Sequence, residues 1–361
     1  MSRKLFFSDC HISAGLGVTA GGDNEHAWEW LTPRDHQRLQ AFIKWVTTRA
    51  AEIEEVILVG DIFDNWIFPH DIEPPTLPAL LQSAYATPLV KALDSLSNAI
   101  STTLLLGNHD QSLTAGVLGQ ALPKVAFAGN NPLTWGKVRA EHGHAYGLFN
   151  APDPLRRDNL PLGYFISRMV ATADRKDGTH TPSISQVVKE LGQLVARRED
   201  LAQGVFDAVC TKAGVAPSTE IVMPADLWGG ETTTVQYVRD TYKDLYDEWK
   251  SRNGAASAII AISAELNDLS LVANTIQIPD GPRAMVMGHT HVAASQRHSF
   301  PVLGHWVYVN SGTWCHNTQH ASWVEAEDSS GALNMTVYGC AGFDADGQPQ
   351  GLAPLVAPVS T

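Results

Sequence analysis

Leu58-Val59-Gly60-Asp61-Ile62-Phe63-Asp64 is the stretch that decides the fold of this chain. The apolar run Val56-Ile57-Leu58-Val59 reads as a buried strand that stops at a glycine followed at once by a carboxylate. Asp61 is thereby placed at the carboxyl end of a strand, where ligand sites collect in open α/β sheets. The pattern recurs four times. Leu5-Phe6-Phe7 runs into Ser8-Asp9-Cys10-His11, and Leu104-Leu105-Leu106 into Gly107-Asn108-His109-Asp110. Val138-Arg139-Ala140-Glu141 leads to His142-Gly143-His144, and Ala284-Met285-Val286-Met287 to Gly288-His289-Thr290-His291. Five strand ends each deliver Asp, Asn or His.

Between these ends the periodicity changes. From Thr32-Pro33 to Ile53, apolar residues at Leu39, Phe42, Ile43, Val46 and Ala50 fall at helical spacing, with Thr32 as N-cap and Pro33 in the first turn. Leu80 to Ile100 reads as a second helix. This alternation predicts a parallel or mixed sheet with right-handed crossovers, its strand ends sharing one edge. Gly15 to Gly22 reads as a loop near that edge and does not follow the GxGxxG pattern. A second loop, Asn65 to Pro78, carries Trp66, Phe68 and His70.

Between His144 and His289 the character shifts. Prolines at 152, 154 and 161 are followed by helical patterns at Phe165 to Ala173, Ile184 to Val195, Val235 to Trp249 and Ala255 to Val272. An insertion of this length between two candidate ligands is most simply a helical cap over the strand ends, and its ligand-poor composition points to substrate selection. The remainder returns to β structure. Trp306-Val307-Tyr308-Val309 runs into Asn310-Ser311-Gly312-Thr313-Trp314, and Ala321 to Ala326 and Leu333 to Tyr338 alternate like antiparallel strands. The stretch from Pro349 reads as a poorly ordered end.

The totals bound the function. With 361 residues, 44% of them hydrophobic and 17% charged, the chain is an ordinary globular protein with room for a large core. A net charge of -13, with no basic face or long Lys/Arg run, argues against a nucleic-acid or membrane surface. Four cysteines without CxxC spacing do not form a disulfide framework and read as reduced thiols. The first residues lack the apolar core of about 7–15 residues that a signal peptide needs. No apolar stretch is long enough to span a bilayer. The expected location is the cytoplasm, and an oligomer is compatible with the sequence.

Carboxylate, imidazole and amide oxygen suit Mn²⁺, Fe²⁺, Zn²⁺ or Mg²⁺ and do not suit Cu⁺ or an iron–sulfur cluster; Mn²⁺ is the ion expected first. Two divalent ions about 3.5–4 Å apart need a group that touches both, and a carboxylate can do so with its two oxygens. Asp61 is the candidate bridge. Asp9, His11 and His291 would complete one ion, and Asn108, His142 and His289 the other. In Asp9-x-His11 and His289-x-His291 the i, i+2 spacing puts both side chains on one face of a strand, whereas a turn just past the strand can aim them at neighbouring ions.

DxH, GDxxD, GNHD, HGH and GHTH, in this order, resemble the five signature blocks of the calcineurin-like metallophosphoesterase superfamily. The resemblance covers roughly residues 1–150 and 283–340. It implies an α/β chain with an αββα sandwich and a helical cap insertion: a core of residues 1–150 and 283–345, the insertion at 151–282 and a tail at 346–361. It also implies a metal-dependent phosphoric ester hydrolase whose two divalent ions are held by the ligands named above. His109 would then contact the phosphate and protonate the leaving oxygen, Asp110 would orient His109, and Asp64 would brace the loop. Within the superfamily, residues 61–66 and 310–314 are similar to the branch containing UDP-2,3-diacylglucosamine pyrophosphatases. The fourth block departs from that branch, reading HGH where HGD is usual, and the insertion is longer than its helical lid.

The expected reaction is hydrolysis of a phosphodiester or pyrophosphate bond in a small-molecule phosphate ester, by water that the two ions activate. A phosphomonoesterase is the alternative, and a non-catalytic metal-bound scaffold the alternative from another class. Trp66, Phe68, Tyr164 and Phe165 would favour an apolar or aromatic ester if they line the cap's mouth, or would form the cap's own core. His144 would touch substrate or sit in the core.

Overall fold

The computed structural model describes residues 2–18, 27–177, 200–265, 269–270, 272, 282–300, 304–316, 318–329 and 332–360. The expected helix at 184–195 and the later part of the Gly-rich segment lie outside these residues.

The five strand ends belong to two sheets rather than one. In the first sheet, β1 (Ser2–Phe7), β2 (Glu55–Val59), β3 (Ser101–Leu105) and β4 (Val125–Gly129) run parallel, in that spatial order. The second sheet starts with β5 (Leu133–Trp135) and β6 (Val138–Ala140). In the insertion, β7 (Glu220–Val222) and β8 (Thr232–Thr234) form a separate hairpin. The second sheet continues with β9 (Ala284–Met287), β10 (Ala294–Phe300) and β11 (Gly304–Asn310), in the order β10-β11-β9-β6-β5. There β9 is parallel to both β6 and β11. β12 (Ala321–Ser329) and β13 (Ala332–Cys340) return to the first sheet and add to β1 antiparallel.

Period-two alternation explains how the sheets stack. Phe6, Ile57 and Val59 on the first sheet and Val138, Ala140, Ala284, Val286, Val307 and Val309 on the second form one buried cluster between them. Their neighbours point outward. Leu5, Phe7, Val56 and Leu58 pack against the helices α1 (Pro33–Thr48), α2 (Leu77–Leu81) and α3 (Thr87–Ala99). Met285, Met287, Trp306 and Tyr308 pack outward on the other side, beneath Ala264, Leu269 and Val272. Strands buried on both faces read as continuous apolar runs, which is why the sequence signal for β2 and β9 is strong. The layering is that of the αββα sandwich. Among the described residues, no helix is long and apolar enough to cross a membrane.

Several expectations are corrected. The helix read from Leu80 to Ile100 is two helices, because Pro88 enters at the first turn of α3 and disfavours helical continuation from the preceding turn. Residues beyond Pro349 are paired: β14 (Gly342–Phe343) with β15 (Pro349–Gln350), while β16 (Ala353–Pro354) and β17 (Val359–Ser360) lie on β13. The expected N-cap of α1 is present, with Thr32 Oγ1 accepting from the Asp35 N–H at 3.2 Å.

α4 (Ala115–Ala121) precedes β4, and residues 151–282 hold α5 (Leu162–Asp177), α6 (Leu201–Ala213), α7 (Val235–Tyr242), α8 (Leu245–Asn253) and α9 (Ala255–Glu265). The helix read over Val235 to Trp249 thus breaks at residues 243–244, and α6 was not anticipated, although Leu201, Val205, Phe206 and Val209 repeat at helical spacing. Trp66, Tyr164 and Phe165 belong to the buried cluster of this insertion, and Phe68 is buried as well. Trp66, Tyr164 and Phe165 therefore pack with the helices of residues 162–265 rather than lining a mouth.

Arg168 ties that core to the loop after Asp64. Its side chain is fully buried and donates to the carbonyls of Phe68 (2.7 Å), Pro69 (2.8 Å), Ile72 (2.7 Å) and Val222 (2.7 Å), and to the Tyr164 hydroxyl (2.8 Å). Arg168→Leu strips these acceptors of their donor. It is expected to cost about 3–5 kcal/mol, since each buried acceptor left unpaired costs roughly 1–3 kcal/mol before relaxation. Urea denaturation measures this, and an unchanged midpoint would rule out the clamp.

Candidate metal centre

Three of the five strand ends present their candidate ligands through a strained turn. Asp9, His11, Asp61, His289 and His291 all have positive φ, between 47° and 71°, a region that residues with side chains seldom enter. In the two x-spaced pairs, both members are left-handed. This is the turn that takes i and i+2 off a common strand face. The glycines permit close approach: a Cβ on Gly107 would meet Asp61 Oδ1 at 2.1 Å, and one on Gly60 would meet the His142 ring at 2.6 Å. The loops are knitted by backbone bonds, among them Asp9 N–H to Gly60 O (3.1 Å), His11 N–H to Asp61 O (3.0 Å) and Gly288 N–H to His142 O (3.1 Å).

The turns bring the seven candidate ligands together. Donor atoms of Asp9, His11 and Asp61 lie within 4.8 Å of one another, and so do those of Asp61, His142 and His289. Asp61 is common to both groups. His291 joins the first, its Nε2 lying 3.0 Å from His11 Nε2 and 3.2 Å from Asp9 Oδ1. Asn108 sits between Gly107, packed on Asp61, and His109, whose N–H donates to Asp61 Oδ1 at 2.8 Å. All but His291 are buried.

The outer nitrogens of the imidazoles are taken up, which turns the inner ones to the centre. His142 Nδ1–H donates to Val59 O at 2.8 Å, His11 Nδ1 lies 2.8 Å from Asp64 Oδ2, and His291 Nδ1 lies 3.0 Å from His316 Nε2. Asn108 Oδ1 and His289 Nε2 are buried without a hydrogen-bond partner, and His142 Nε2 faces Asp61 Oδ2 at 3.0 Å. Buried polar atoms are otherwise nearly always paired. An amide oxygen and imidazole nitrogens gathered beside a carboxylate are a donor set for a divalent cation, so the residues fit the group that the sequence implies.

Two roles differ from expectation. Asp110 does not touch the His109 ring: it accepts from the N–H groups of Gly107 (2.7 Å) and Ile62 (2.9 Å) and so pins the Asp61 turn to the Asn108 turn. Asp64 takes the role given to Asp110, its Oδ2 lying 3.0 Å from His109 Nδ1, while its Oδ1 accepts from the N–H groups of Trp66 and Ile67. Adjacent residues in a turn diverge, whereas residues on facing loops converge. The Asn310-to-Trp314 block backs the site from behind: Asn310 Nδ2 donates to Gly288 O at 2.6 Å, and Thr313 Oγ1 and Trp314 N–H donate to Asp9 O.

Four residues went unanticipated. Trp30 packs its ring against His11, His109, His291 and His316, at centroid distances of 4.7–5.5 Å. His316 lies two residues past the Asn310 block, a position that could have drawn attention. Asn150 Oδ1 accepts from Asn108 Nδ2 at 3.3 Å, and Glu265 Oε2 accepts from Asn150 Nδ2 at 2.9 Å. Glu265 is the lone charge in the apolar run Ala255 to Leu266, which was its signal. His144 is buried, with its ring 5.4 Å from that of His142.

The electrostatics follow from burial opposed by neighbours. Burial disfavours the Asp61 charge, but His142 and His109 outweigh it and hold its pKa well below the usual carboxylate value. Burial also lowers His142, and Asp61 overturns this, raising it to about 9. Burial and the neighbouring His142 push His289 well down and His144 to about 3. Burial lowers His11 despite Asp64. A neutral imidazole is the form that binds a cation.

Two sheets that gather carboxylates and imidazoles at one edge, with a carboxylate shared by two donor groups, define a metal-dependent hydrolase of phosphoric esters. The chain belongs to the calcineurin-like phosphoesterase family, whose profile matches residues 2–293. No curated protein sequence is similar enough to match it. Among solved structures, a conserved uncharacterised protein of Streptococcus pneumoniae TIGR4, described as a predicted phosphoesterase, is 10% identical with a TM-score of 0.30, over 100% of this chain and 98% of the other. A dimetal phosphatase of Danio rerio is 7% identical with a TM-score of 0.37, over 99% and 98%. Likeness this distant says nothing of the substrate.

Gly60→Ala would place a methyl group against the His142 ring at a φ of 81°. It is expected to lower stability by about 2 kcal/mol or more and to abolish the rise in melting temperature on adding Mn²⁺. Melts with and without metal test this; a wild-type metal response would show that the turn tolerates a side chain.

Proposed function

We propose that this protein is a binuclear metal-dependent phosphoesterase that hydrolyses a phosphodiester or pyrophosphate bond in a small molecule. The observation that carries the reading is Asp61, common to two buried donor groups beside the unpartnered Asn108 Oδ1 and His289 Nε2. Asp9, His11, Asp61 and His291 would hold one divalent ion, and Asp61, Asn108, His142 and His289 the other, with Mn²⁺, Fe²⁺, Zn²⁺ and Mg²⁺ all compatible with the donors and Mn²⁺ the first to test. When bound, the ions supply Lewis acidity toward the phosphoryl oxygens and a nucleophilic water near neutral pH.

The chain's own groups do the rest. Asp64 occupies the Nδ1 side of His109 and, after burial alone would lower it, raises the pKa of that imidazole with the help of Asp61. The Nε2 proton of His109 is then the one available to the leaving oxygen. Trp30 and Trp66 wall the ring at centroid distances of 5.4 Å and 4.7 Å, fixing its plane and excluding water. Among the described residues, no lysine or arginine pairs with the carboxylates of the centre, so the single charge of a phosphodiester is a better fit than the double charge of a monoester. The likeness of residues 61–66 and 310–314 to the UDP-2,3-diacylglucosamine pyrophosphatase branch supports the pyrophosphate variant of the reading. The four cysteines, all free and buried, are consistent with a reducing cytoplasm.

The test is hydrolysis of bis-p-nitrophenyl phosphate beside the p-nitrophenyl monoester, after chelation and readdition of Mn²⁺. Metal-dependent turnover is expected, faster on the diester; faster monoester turnover would make the enzyme a phosphatase. Asp61→Asn is expected to abolish activity by loosening both ions, and near-wild-type turnover with two ions retained would refute the bridge. His109→Ala is expected to keep its metals and slow turnover by about 10²–10⁴-fold, with less loss for nitrophenolate than for an alkoxide leaving group. Equal loss for both would remove the general acid.

A further inference from the structure

We propose that Glu265, supplied by the insertion, decides which atom of the Asn108 amide faces the metal centre, acting through Asn150 as a positioning residue. The inference rests on the two-ion site proposed above.

An amide oxygen and nitrogen are nearly alike in size, so packing does not choose between them. Only the oxygen has a lone pair for a cation. The choice must come from hydrogen bonds, and Glu265 supplies it because both of its oxygens face N–H donors and so act as acceptors. Its Oε1 accepts from the Phe149 N–H at 2.7 Å and its Oε2 from Asn150 Nδ2 at 2.9 Å. With its nitrogen engaged, Asn150 turns its Oδ1 the other way, where it accepts from Asn108 Nδ2 at 3.3 Å. Asn108 Oδ1 is left as the free end of the chain of bonds, buried and without a protein partner. One carboxylate thus sets the polarity of two amides in succession.

The surroundings are built for close contact. Glu265 is fully buried, with Asn150 and Asn108 each 2% exposed, so bulk water cannot substitute for a missing link. A Cβ on Gly147 would meet Glu265 Oε1 at 2.4 Å, and one on Gly163 would meet Asn150 Oδ1 at 2.4 Å. Glu265 also closes α9, whose Ala258 and Ala261 lie in the core of the insertion. Seating of that helix and presentation of a metal ligand are therefore one event.

The experiment measures Mn²⁺ binding to the full chain by equilibrium dialysis, beside melts of the metal-free protein. Glu265→Gln keeps the shape but can present either nitrogen or oxygen to Asn150. It is expected to weaken the second ion by about 10–100-fold, leave the first in place and keep the metal-free melting temperature near wild type. Adding Asn150→Asp moves the acceptor-only group one link along, so the double variant is expected to regain the second ion. Gly147→Ala, which displaces the carboxylate without altering its chemistry, is expected to weaken the second ion as well, and it decides the matter with the double variant if Glu265→Gln fails to fold. Two ions bound as tightly by Glu265→Gln as by wild type would overturn the relay alone. So would a folded double variant that does not recover. Fewer than two ions on the wild-type chain would instead overturn the metal centre and the relay with it.

Discussion

Four carboxylates, Asp9, Asp61, Asp64 and Asp110, are buried side by side where the strand ends meet, and among the described residues no lysine or arginine lies within ion-pair distance of any of them. Placing such charges out of water is costly unless each is paired and hydrogen-bonded. The compensation comes from backbone N–H groups and imidazoles: His289 N–H on Asp9, His109 N–H on Asp61, Trp66 and Ile67 N–H on Asp64, Gly107 and Ile62 N–H on Asp110. Backbone donors can reach a carboxylate only if the chain turns tightly around it. The strained turns, the glycines and the knitted loops all follow from that requirement.

The strain has a second use. Five ligands in the left-handed region would each relax if their turns were free. They are held because every turn is hydrogen-bonded to another strand's turn, with the Asn310 block behind Asp9 and Gly288. The backbone bonds between loops thus fix the positions of these side chains by themselves. Asn108 Oδ1 and His289 Nε2 are buried there without a hydrogen-bond partner.

The insertion is more than a cover. Arg168 fastens it to the loop that follows Asp64, Trp66 joins its core while packing on His109, and Glu265 reaches back to the amide next to a ligand. Each of these couples cap packing to a group in the centre. The helices of residues 162–265 and the His109 ring thus share Trp66 as a packing partner.

The sequence by itself located the five strand ends and the Asp, Asn and His side chains that the fold gathers there, because each is written locally as an apolar run followed within a few residues by such a side chain. The helical periodicity after residue 160 is local too. The division of the strands between two sheets, the pairing of the segment after Pro349 and the splitting of helices at Pro88 and at residues 243–244 depended on which surfaces met, and propensity yields to tertiary packing there. The roles of Asp64 and Asp110 illustrate the point most directly. Adjacency favoured Asp110 as the partner of His109, yet neighbours in a turn point apart, and the carboxylate that reaches the ring comes from a loop 45 residues earlier in the chain. Trp30 and Asn150 were silent for the same reason, and the local signals of Glu265 and His316 did not say what they touch: their contacts join segments far apart in sequence, and only the folded chain brings those segments together.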